Sequence, residues 1–284
     1  MERSKACVIG WPIGHSRSPL IHNYWLKHYE IAGDYVAQAV APEDLQTFLG
    51  EMQASGWLGG NVTLPHKERV LALCDVATPL ARRVGAVNTL WFENGRLHGD
   101  NTDVGGFLAN LDDQQPGWSS GGGDAVVIGA GGAARAIVAG LVERKFGSIL
   151  ILNRSLARAQ ALAEEARSWG APKVEAALVT PDADCLKQAS FLVNTTSLGM
   201  KGQPKLEIDL SFLPSEALVS DIVYSPAETD LLRAARERGL NISTGLGMLL
   251  YQAAPGFQHW FGVLPKVTSQ LRALVEANVE QDSQ

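Results

Sequence analysis

The sequence predicts an α/β fold in two domains, the first of them built on a mostly parallel sheet. Three observations carry this. The chain has 284 residues, and roughly 100–200 residues make one domain. Short β-branched runs alternate with helix-length segments through the first half, and that alternation favours parallel strands. Pro, Ser and four glycines then crowd into Gln114 to Asp124, which reads as a loop just inside a second domain.

The elements follow in order. Lys5 to Gly10 is a strand that opens into a Gly-Trp-Pro turn. A helix runs from Ser18 to about Tyr29, with Ser18 as N-cap and Pro19 at the first helical position. Asp34 to Val40 is a second strand. Pro42 begins another helix, with Glu43 and Asp44 in its first turn, where the dipole favours anions. Leu58 to Val62 is a third strand, and His66 to Leu73 a helix. Val87 to Phe92 and Arg96 to His98 form a hairpin about Glu93-Asn94-Gly95. In the second half, Ala125 to Ile128 is an apolar run suited to a strand buried on both faces. A helix from about Gly132 to Arg144 follows, then a strand, Ser148 to Leu152, and a helix, Ser155 to Ser168. Phe191 to Asn194 and Ala217 to Val223 are further strands. Glu228 to Arg238 is a helix and Leu240 to Ser243 a short strand. The last predicted helices lie near Gly247 to Phe261 and Pro265 to Glu280. Only the polar tail, Glu280 to Gln284, is expected to be disordered.

Composition narrows the function. The net charge is -6, with no run of Lys and Arg, so a nucleic-acid partner is not expected. Cys7, Cys74 and Cys185 are scattered thiols, which predict no disulfide framework. No Cys or His pair stands at ligand spacing, so no metal is expected. No apolar stretch reaches the ~18 residues of a membrane span. Met1 to Lys5 lacks the apolar core of a signal peptide. A cytoplasmic protein, monomer or homodimer, is the expectation.

The first chemical motif is Ala125-Val-Val-Ile-Gly129-Ala130-Gly131-Gly132-Ala133-Ala134. It reads G-x-G-x-x-A directly after a strand and before a helix. Gly129 permits the tight turn, Gly131 lets the backbone approach a pyrophosphate, and Ala134 allows close helix–strand packing. The helix N-terminus then offers N–H groups to the phosphates. The context predicts a Rossmann-like domain that binds a dinucleotide through Gly129, Ala130, Gly131, Gly132 and Ala133. NAD-binding units place a carboxylate after the next strand, on the ribose hydroxyl. This chain has Asn153-Arg154-Ser155 there, with Arg158 one turn later. Nothing repels a 2′-phosphate, and Arg154 offers it a planar fork of donors. The expected cofactor is NADP.

Small polar residues gather in four segments of the first half: Ser16 and Ser18; Asn61-Val-Thr63-Leu-Pro65-His66-Lys67; Ala86-Val-Asn88-Thr89; and Asp100-Asn101-Thr102-Asp103. Each has a structural explanation alone: Ser18 a cap, Asn88 a strand end, Asp103 a helix start. Together these hydroxyl, amide, ammonium and carboxylate groups suit a polyhydroxylated anion at the strand ends of an open sheet.

These segments, with Gly10-Trp-Pro-Ile-Gly-His-Ser16-Arg-Ser18-Pro-Leu-Ile-His-Asn23, Asn194-Thr-Thr-Ser-Leu-Gly-Met200 and Gly245-Leu-Gly-Met-Leu-Leu-Tyr-Gln252, resemble the shikimate dehydrogenase family along nearly the whole chain. The resemblance implies a substrate domain, residues 1–104 with 246–284 returning to it, and an NADP domain, residues 105–245. It implies reversible NADPH-dependent reduction of 3-dehydroshikimate to shikimate, on the route to chorismate and the aromatic amino acids. Ser16, Ser18, Thr63, Asn88, Tyr224 and Gln252 would hold the substrate, and Lys67 and Asp103 would be the catalytic pair. Gly245 and Met248 would lie near the nicotinamide, with Ile222 in range. One position departs: Pro79 stands where some members carry an acidic residue at the cofactor. Hydride transfer to a ketone develops an alkoxide that a cation stabilises and a proton donor completes, and Lys67 can do both. His66 is expected to point away. The competing expectations are an NAD-using quinate/shikimate dehydrogenase, a non-catalytic ligand-binding relative, and the same fold acting on a shikimate analogue.

Overall fold

The structure is a computed structural model that describes residues 4–179 and 183–281. The first three residues and the polar tail past Gln281 lie outside the described residues. Two compact units form, one within Met1–Thr102 and Leu250–Val275, the other within Asp103–Leu249 and Glu276–Gln284.

The first unit opens with β1 (Ser4–Gly10), whose residues Ala6 to Ile9 are buried. Helix α1 (Ser18–His28) buries Ile21, His22, Trp25 and Leu26, the i, i+4 stripe of an amphipathic helix. Pro19 stands in its first turn as expected. Ser18 is not the N-cap: Arg17 holds that position without a side-chain bond, because Ser18 is already helical and donates its own N–H to Ser16 Oγ at 3.3 Å. Then come β2 (Gly33–Ala39) and α2 (Leu45–Met52). Helix α2 starts later than the sequence suggests. Pro42 to Asp44 form a separate turn, closed by Asp44 N–H on the Ala41 carbonyl at 3.0 Å, so Glu43 and Asp44 precede the helix. Strand β3 (Trp57–Val62) and α3 (Lys67–Leu73) match expectation.

Strand β4 (Val76–Ala77) and α4 (Pro79–Val84) are elements the sequence does not announce. Thr78 caps α4 by accepting from Ala81 N–H at 3.1 Å. Pro79 opens that helix, where its missing N–H costs nothing. Strands β5 (Thr89–Glu93) and β6 (Arg96–Asp100) form the expected antiparallel hairpin, with Glu93 in the strand and a turn of two residues, Asn94 and Gly95, both at positive φ. The sheet order is β2-β1-β3-β5-β6-β4. Strands β1, β2 and β3 pair in parallel, and β5 runs antiparallel to β3, with Asn61 opposite Thr89. The start of β5 and the end of β6 therefore lie at the carboxyl edge of β1 and β3.

The second unit begins with α5 (Asp103–Gln114) and β7 (Asp124–Ile128). The glycine-rich loop between them is anchored by Trp118, packed on Phe146 and Phe191 at 5.6 and 5.2 Å. Helix α6 (Gly132–Glu143), β8 (Ser148–Asn153), α7 (Leu156–Ser168), β9 (Val174–Leu178), β10 (Ala189–Asn194), β11 (Leu218–Asp221), α8 (Asp230–Glu237) and β12 (Asn241–Ser243) follow. Every pairing is parallel, in the order β12-β11-β10-β7-β8-β9. Counted from β7, that is the doubly wound order 3-2-1-4-5-6, with its switch point between β7 and β10.

The last helices are α9 (Leu246–Phe261) and α10 (Ser269–Gln281). Residues 250–275 belong to the first unit. There Trp260 Nε1 donates to the Leu90 carbonyl at 2.8 Å and Phe257 packs on Trp25 at 5.5 Å. Helix α10 does not begin at Pro265. The Lys266 carbonyl accepts from Trp25 and its N–H donates to the Tyr29 hydroxyl, holding the segment non-helical until Thr268 caps Leu271 N–H. Among the described residues no helix is long and apolar enough to cross a membrane.

Candidate functional site

In the first unit the predicted polar residues meet at the carboxyl edge of β1 and β3. The turn after β1 carries Ser16, half-buried, and Ser18, buried. Thr63 follows β3, its N–H on the Ile9 carbonyl at 2.9 Å and its carbonyl accepting from His66 N–H at 3.0 Å. The His66 ring turns into the fold, Nε2 lying 2.8 Å from the Val40 carbonyl. Lys67, the next residue, opens α3 half-buried. Its carbonyl accepts from Val87 N–H at 2.9 Å, which ties α3 to the segment that carries Asn88. Asn88 is 2% exposed, and its Nδ2 donates to Gln252 Oε1 on α9 at 3.3 Å. The expected substrate residues Asn88 and Gln252, 164 positions apart, are thus joined directly.

In the second unit the cofactor loop has the expected form. Gly129 follows β7 at φ +115°, a conformation L side chains rarely adopt. A Cβ there would lie 2.4 Å from Thr195 Oγ1. Gly131 is the N-cap of α6 and offers no side chain to its first turn. A Cβ at Gly131 or Gly132 would meet nothing within 4 Å. The start of α6 is therefore open on the side those Cβ atoms would occupy, which leaves room for phosphate oxygens at a helix N-terminus. Ala130 and Ala133 are half-buried in the same turn. Asn153 ends β8 and its Nδ2 donates to the Ser155 carbonyl at 3.0 Å. Ser155 is the N-cap of α7, and Arg154 and Arg158 are exposed beside it.

Asp103, half-buried, is the first residue of α5. Ile222 and Tyr224 follow β11. Gly245 follows β12 with its backbone against that segment, since a Cβ would fall 2.4 Å from the Ile222 carbonyl oxygen. Met248 stands in the first turn of α9.

Three family descriptions match this chain: the shikimate dehydrogenase substrate binding domain over residues 8–90, shikimate / quinate 5-dehydrogenase over residues 115–199, and the shikimate 5'-dehydrogenase C-terminal domain over residues 245–274. A shikimate dehydrogenase (NADP(+)) of Methylocella silvestris is 58% identical over 98% of this chain and 97% of its own. The chain belongs to the shikimate dehydrogenase family. Two solved structures resemble it closely. Shikimate 5-dehydrogenase of Thermus thermophilus, in complex with NADP(H) and shikimate, superposes with a TM-score of 0.81 at 36% identity, covering 98% of each chain. Ligand-free 5-ketofructose reductase of a Gluconobacter species superposes with a TM-score of 0.90 at 28% identity, covering 98% of this chain and 99% of that one.

Membership in the shikimate dehydrogenase family leaves some buried polar residues without an assigned part; the sequence placed Thr89 and Thr102 in its polar segments without a role of their own, and passed over Tyr35 and Asp221. Thr89, Thr102 and Tyr35 are joined to Asn61 and Asn88 by hydrogen bonds. The repeated Asn-Thr dipeptides, 88–89 and 101–102, were the available signal. Asp221, fully buried at the end of β11, is another. It accepts from Asn194 Nδ2 at 3.0 Å, Val223 N–H at 3.0 Å and Thr229 Oγ1 at 2.7 Å. With Thr195 Oγ1 bonded to the Ile128 carbonyl at 2.7 Å, it pins the loops after β10 and β11 at the switch point.

Burial pushes the Asp221 carboxyl up to about 6, against the three hydrogen bonds that favour its charged form. An unfolded aspartate titrates near 3.9, so between about pH 4 and 6 the folded state binds more protons. Stability from this group is present below that window and is lost as pH rises through it. Asp221→Asn keeps an oxygen for Asn194 and Val223, and the Thr229 hydroxyl can turn to accept. Relative to this variant, the parent should lose about 2 kcal/mol between the two ends of the window. Urea midpoints across the range check it, and a pH-independent difference would refute it.

Proposed function

We propose that this chain is an NADP-dependent shikimate dehydrogenase, reducing 3-dehydroshikimate reversibly to shikimate on the route to chorismate and the aromatic amino acids. The observation that carries this is the 58% identity over 98% of the chain to a relative named for that activity. The site residues agree with it. Ser16 and Ser18 hydroxyls suit a carboxylate. Thr63, Asn88, Tyr224 and Gln252 supply the hydroxyl and amide groups that a ring with several hydroxyls needs. Lys67 and Asp103 are the acid–base pair of this reading. When bound, the reduced nicotinamide supplies the hydride. Lys67 stabilises the developing alkoxide and gives its proton to that oxygen; in the reverse direction its neutral amine takes the proton back. Gly245, Met248 and Ile222 flank the nicotinamide end of the cofactor in this reading. Residues 1–104 with 246–284 act as the substrate domain and 105–245 as the NADP domain. A cytoplasmic monomer or homodimer completes it, with no nucleic-acid, membrane or metal partner.

NADP is favoured over NAD because no carboxylate follows β8 and Arg154 stands exposed there. Arg154→Ala should raise KM for NADP+ about tenfold, the worth of one charge-assisted hydrogen bond at an exposed site, with KM for NAD+ little changed. Equal changes for both cofactors would remove Arg154 from the role.

Initial rates with shikimate and quinate, each with NADP+ and NAD+, test the whole reading. Strong preference for shikimate with NADP+ supports it. Comparable rates on quinate or with NAD+ move the chain to the broader-specificity relatives. Tight shikimate binding without turnover makes it a binding module.

A further inference from the structure

Strand β12 is the outer strand of the second sheet and spans only three residues, Asn241–Ser243. Its ladder with β11 ends at Ser243, opposite Ser220. Thr244 and Gly245 continue past that pairing. Three side-chain amides, from the last turns of α5 and the residue after it, take up backbone groups along this stretch. Gln115 Nε2 donates to the Ile242 carbonyl at 2.9 Å. Asn110 Nδ2 donates to the Thr244 carbonyl at 2.8 Å. Gln114 meets both backbone groups of that same residue: its Nε2 donates to the Thr244 carbonyl at 3.3 Å and its Oε1 accepts from Thr244 N–H at 3.2 Å. A backbone N–H only donates and a carbonyl only accepts, so the orientation of the Gln114 amide is fixed. It pairs with Thr244 as a residue of a neighbouring antiparallel strand would. Asn110 Oδ1 accepts the other Gln114 amide proton, which leaves Asn110 Nδ2 for the Thr244 carbonyl.

The neighbouring residue has no slack either. A Cβ on Gly245 would fall 2.4 Å from the Ile222 carbonyl oxygen and 2.8 Å from that of Val223. Gly245 therefore lies hard against the backbone after β11, while Thr244 beside it is held by α5. Helix α5 is a firm support. It buries Phe107, Leu108 and Leu111, and it meets α6 closely, since a Cβ on Gly140 would lie 3.2 Å from Leu108 Cδ2 and 3.6 Å from Val104 Cγ1. The helix whose start leaves room for phosphates and the helix that holds Thr244 are thus one packed pair.

We infer that Asn110 and Gln114 are positioning residues for the nicotinamide: they clamp Thr244 so that Gly245 is a fixed wall for the ring, and neither touches the cofactor. The inference rests on the proposed reading that places Gly245 at the nicotinamide. Thr244 is the point of control because it lies beyond the β11 ladder, whereas Ile242, the partner of Gln115, lies within it. Freeing Thr244 lets the wall drift, and a misplacement of about 1 Å at a reacting centre costs about 10²-fold in rate. Losing one amide of the two is a partial release and should cost about tenfold. The adenine and phosphate half of the cofactor, at the start of α6 and beside Arg154 in the same reading, should not sense it.

The test is Gln114→Met, which keeps the length and removes the amide, beside the same change at the neighbouring Gln115. Gln114→Met should lower kcat for shikimate oxidation about tenfold per folded protein. Its Kd for 2′-phospho-ADP-ribose, which is NADP+ without the nicotinamide, should stay within about twofold of the parent value by titration calorimetry. Gln115→Met should keep both quantities at the parent values. An unchanged kcat in Gln114→Met overturns the clamp. So does a loss of affinity for 2′-phospho-ADP-ribose as large as the loss of kcat, which marks a general loosening of the second unit. An equal loss of kcat in Gln115→Met overturns it too, since that marks plain support of a sheet edge. If Gln114→Met does not fold, Asn110→Ser, too short to reach the Thr244 carbonyl, is read in the same way. The parent with shikimate and NADP+ is the control for the underlying reading: an inactive parent overturns that reading, and the clamp with it, whereas an active parent with an unchanged Gln114→Met overturns the clamp alone.

Discussion

Lys67→Ala should lower kcat for shikimate oxidation by about 10²- to 10⁴-fold, the range that positioned acid–base groups contribute, while KM moves by less than about threefold. The reasoning is local. Lys67 opens α3, and the bond of its carbonyl to Val87 N–H survives truncation. Alanine is a better helix former than lysine, so α3 should hold. What disappears is the ammonium that stabilises the alkoxide and carries the proton. An interaction made only in the transition state lowers kcat and kcat/KM together. Lys67→Arg keeps the charge but not an exchangeable proton, since guanidinium stays protonated, and should fail nearly as badly. Circular dichroism and a shikimate titration show whether fold and binding persist. Near-normal turnover in Lys67→Ala would end the assignment.

Gly129→Val should abolish NADP+ binding and destabilise the second unit. Its backbone sits at φ +115°, and a Cβ would press on Thr195 Oγ1 at 2.4 Å and Thr196 Cγ2 at 3.1 Å. Thr195 cannot step aside cheaply, because its N–H and its hydroxyl both bond the Ile128 carbonyl, at 2.8 and 2.7 Å. Backbone strain of about 1–2 kcal/mol and overpacking of about 1–3 kcal/mol add to roughly 2–5 kcal/mol. The displaced turn also removes the approach to the α6 N-terminus. In thermal or urea unfolding, NADP+ at 100 times its Kd should stabilise the parent by about 2.7 kcal/mol and the variant hardly at all. Full stabilisation of the variant by NADP+ would show that the loop does not hold the cofactor.

The fold was readable wherever a pattern ran long enough. The β7–α6–β8 unit announced itself because a wholly apolar strand, a glycine turn and an uninterrupted helix stand in succession. The hairpin was readable from Asn94-Gly95 alone, since few other pairs adopt two positive φ values. What stayed hidden was short or mixed in composition. Strand β4 has two residues and cannot show a period. Strand β9 carries Glu and two Ala on a sheet edge, with Glu175 and Leu178 exposed. Helix α5 contains Gly105 and Gly106, poor helix formers, and is held by its buried Phe107, Leu108 and Leu111. At helix starts, Ser18 and Pro42 gave the right neighbourhood and the wrong residue, because local hydrogen bonds shift a cap by a position or more. The site was readable as a set of residue types but not as a circuit. Nothing in the spacing of Tyr35, Asn61, Thr89 and Thr102 shows that they touch; only the insertion of an antiparallel hairpin beside β3 brings them to one edge.

The division of the first unit across the chain has a consequence for synthesis. Gln252, which completes the bond to Asn88, and Trp260, which closes over Leu90, are translated after the whole second unit, Asp103–Leu249. At about 5–20 residues per second, a ribosome takes roughly 7–30 seconds to cover that stretch. During this interval the N-terminal sheet waits with its aromatic floor uncovered and Asn88 without Gln252, while by its end the second unit has every strand it needs. The later-made domain is thus placed to fold first, and the earlier-made one to finish last.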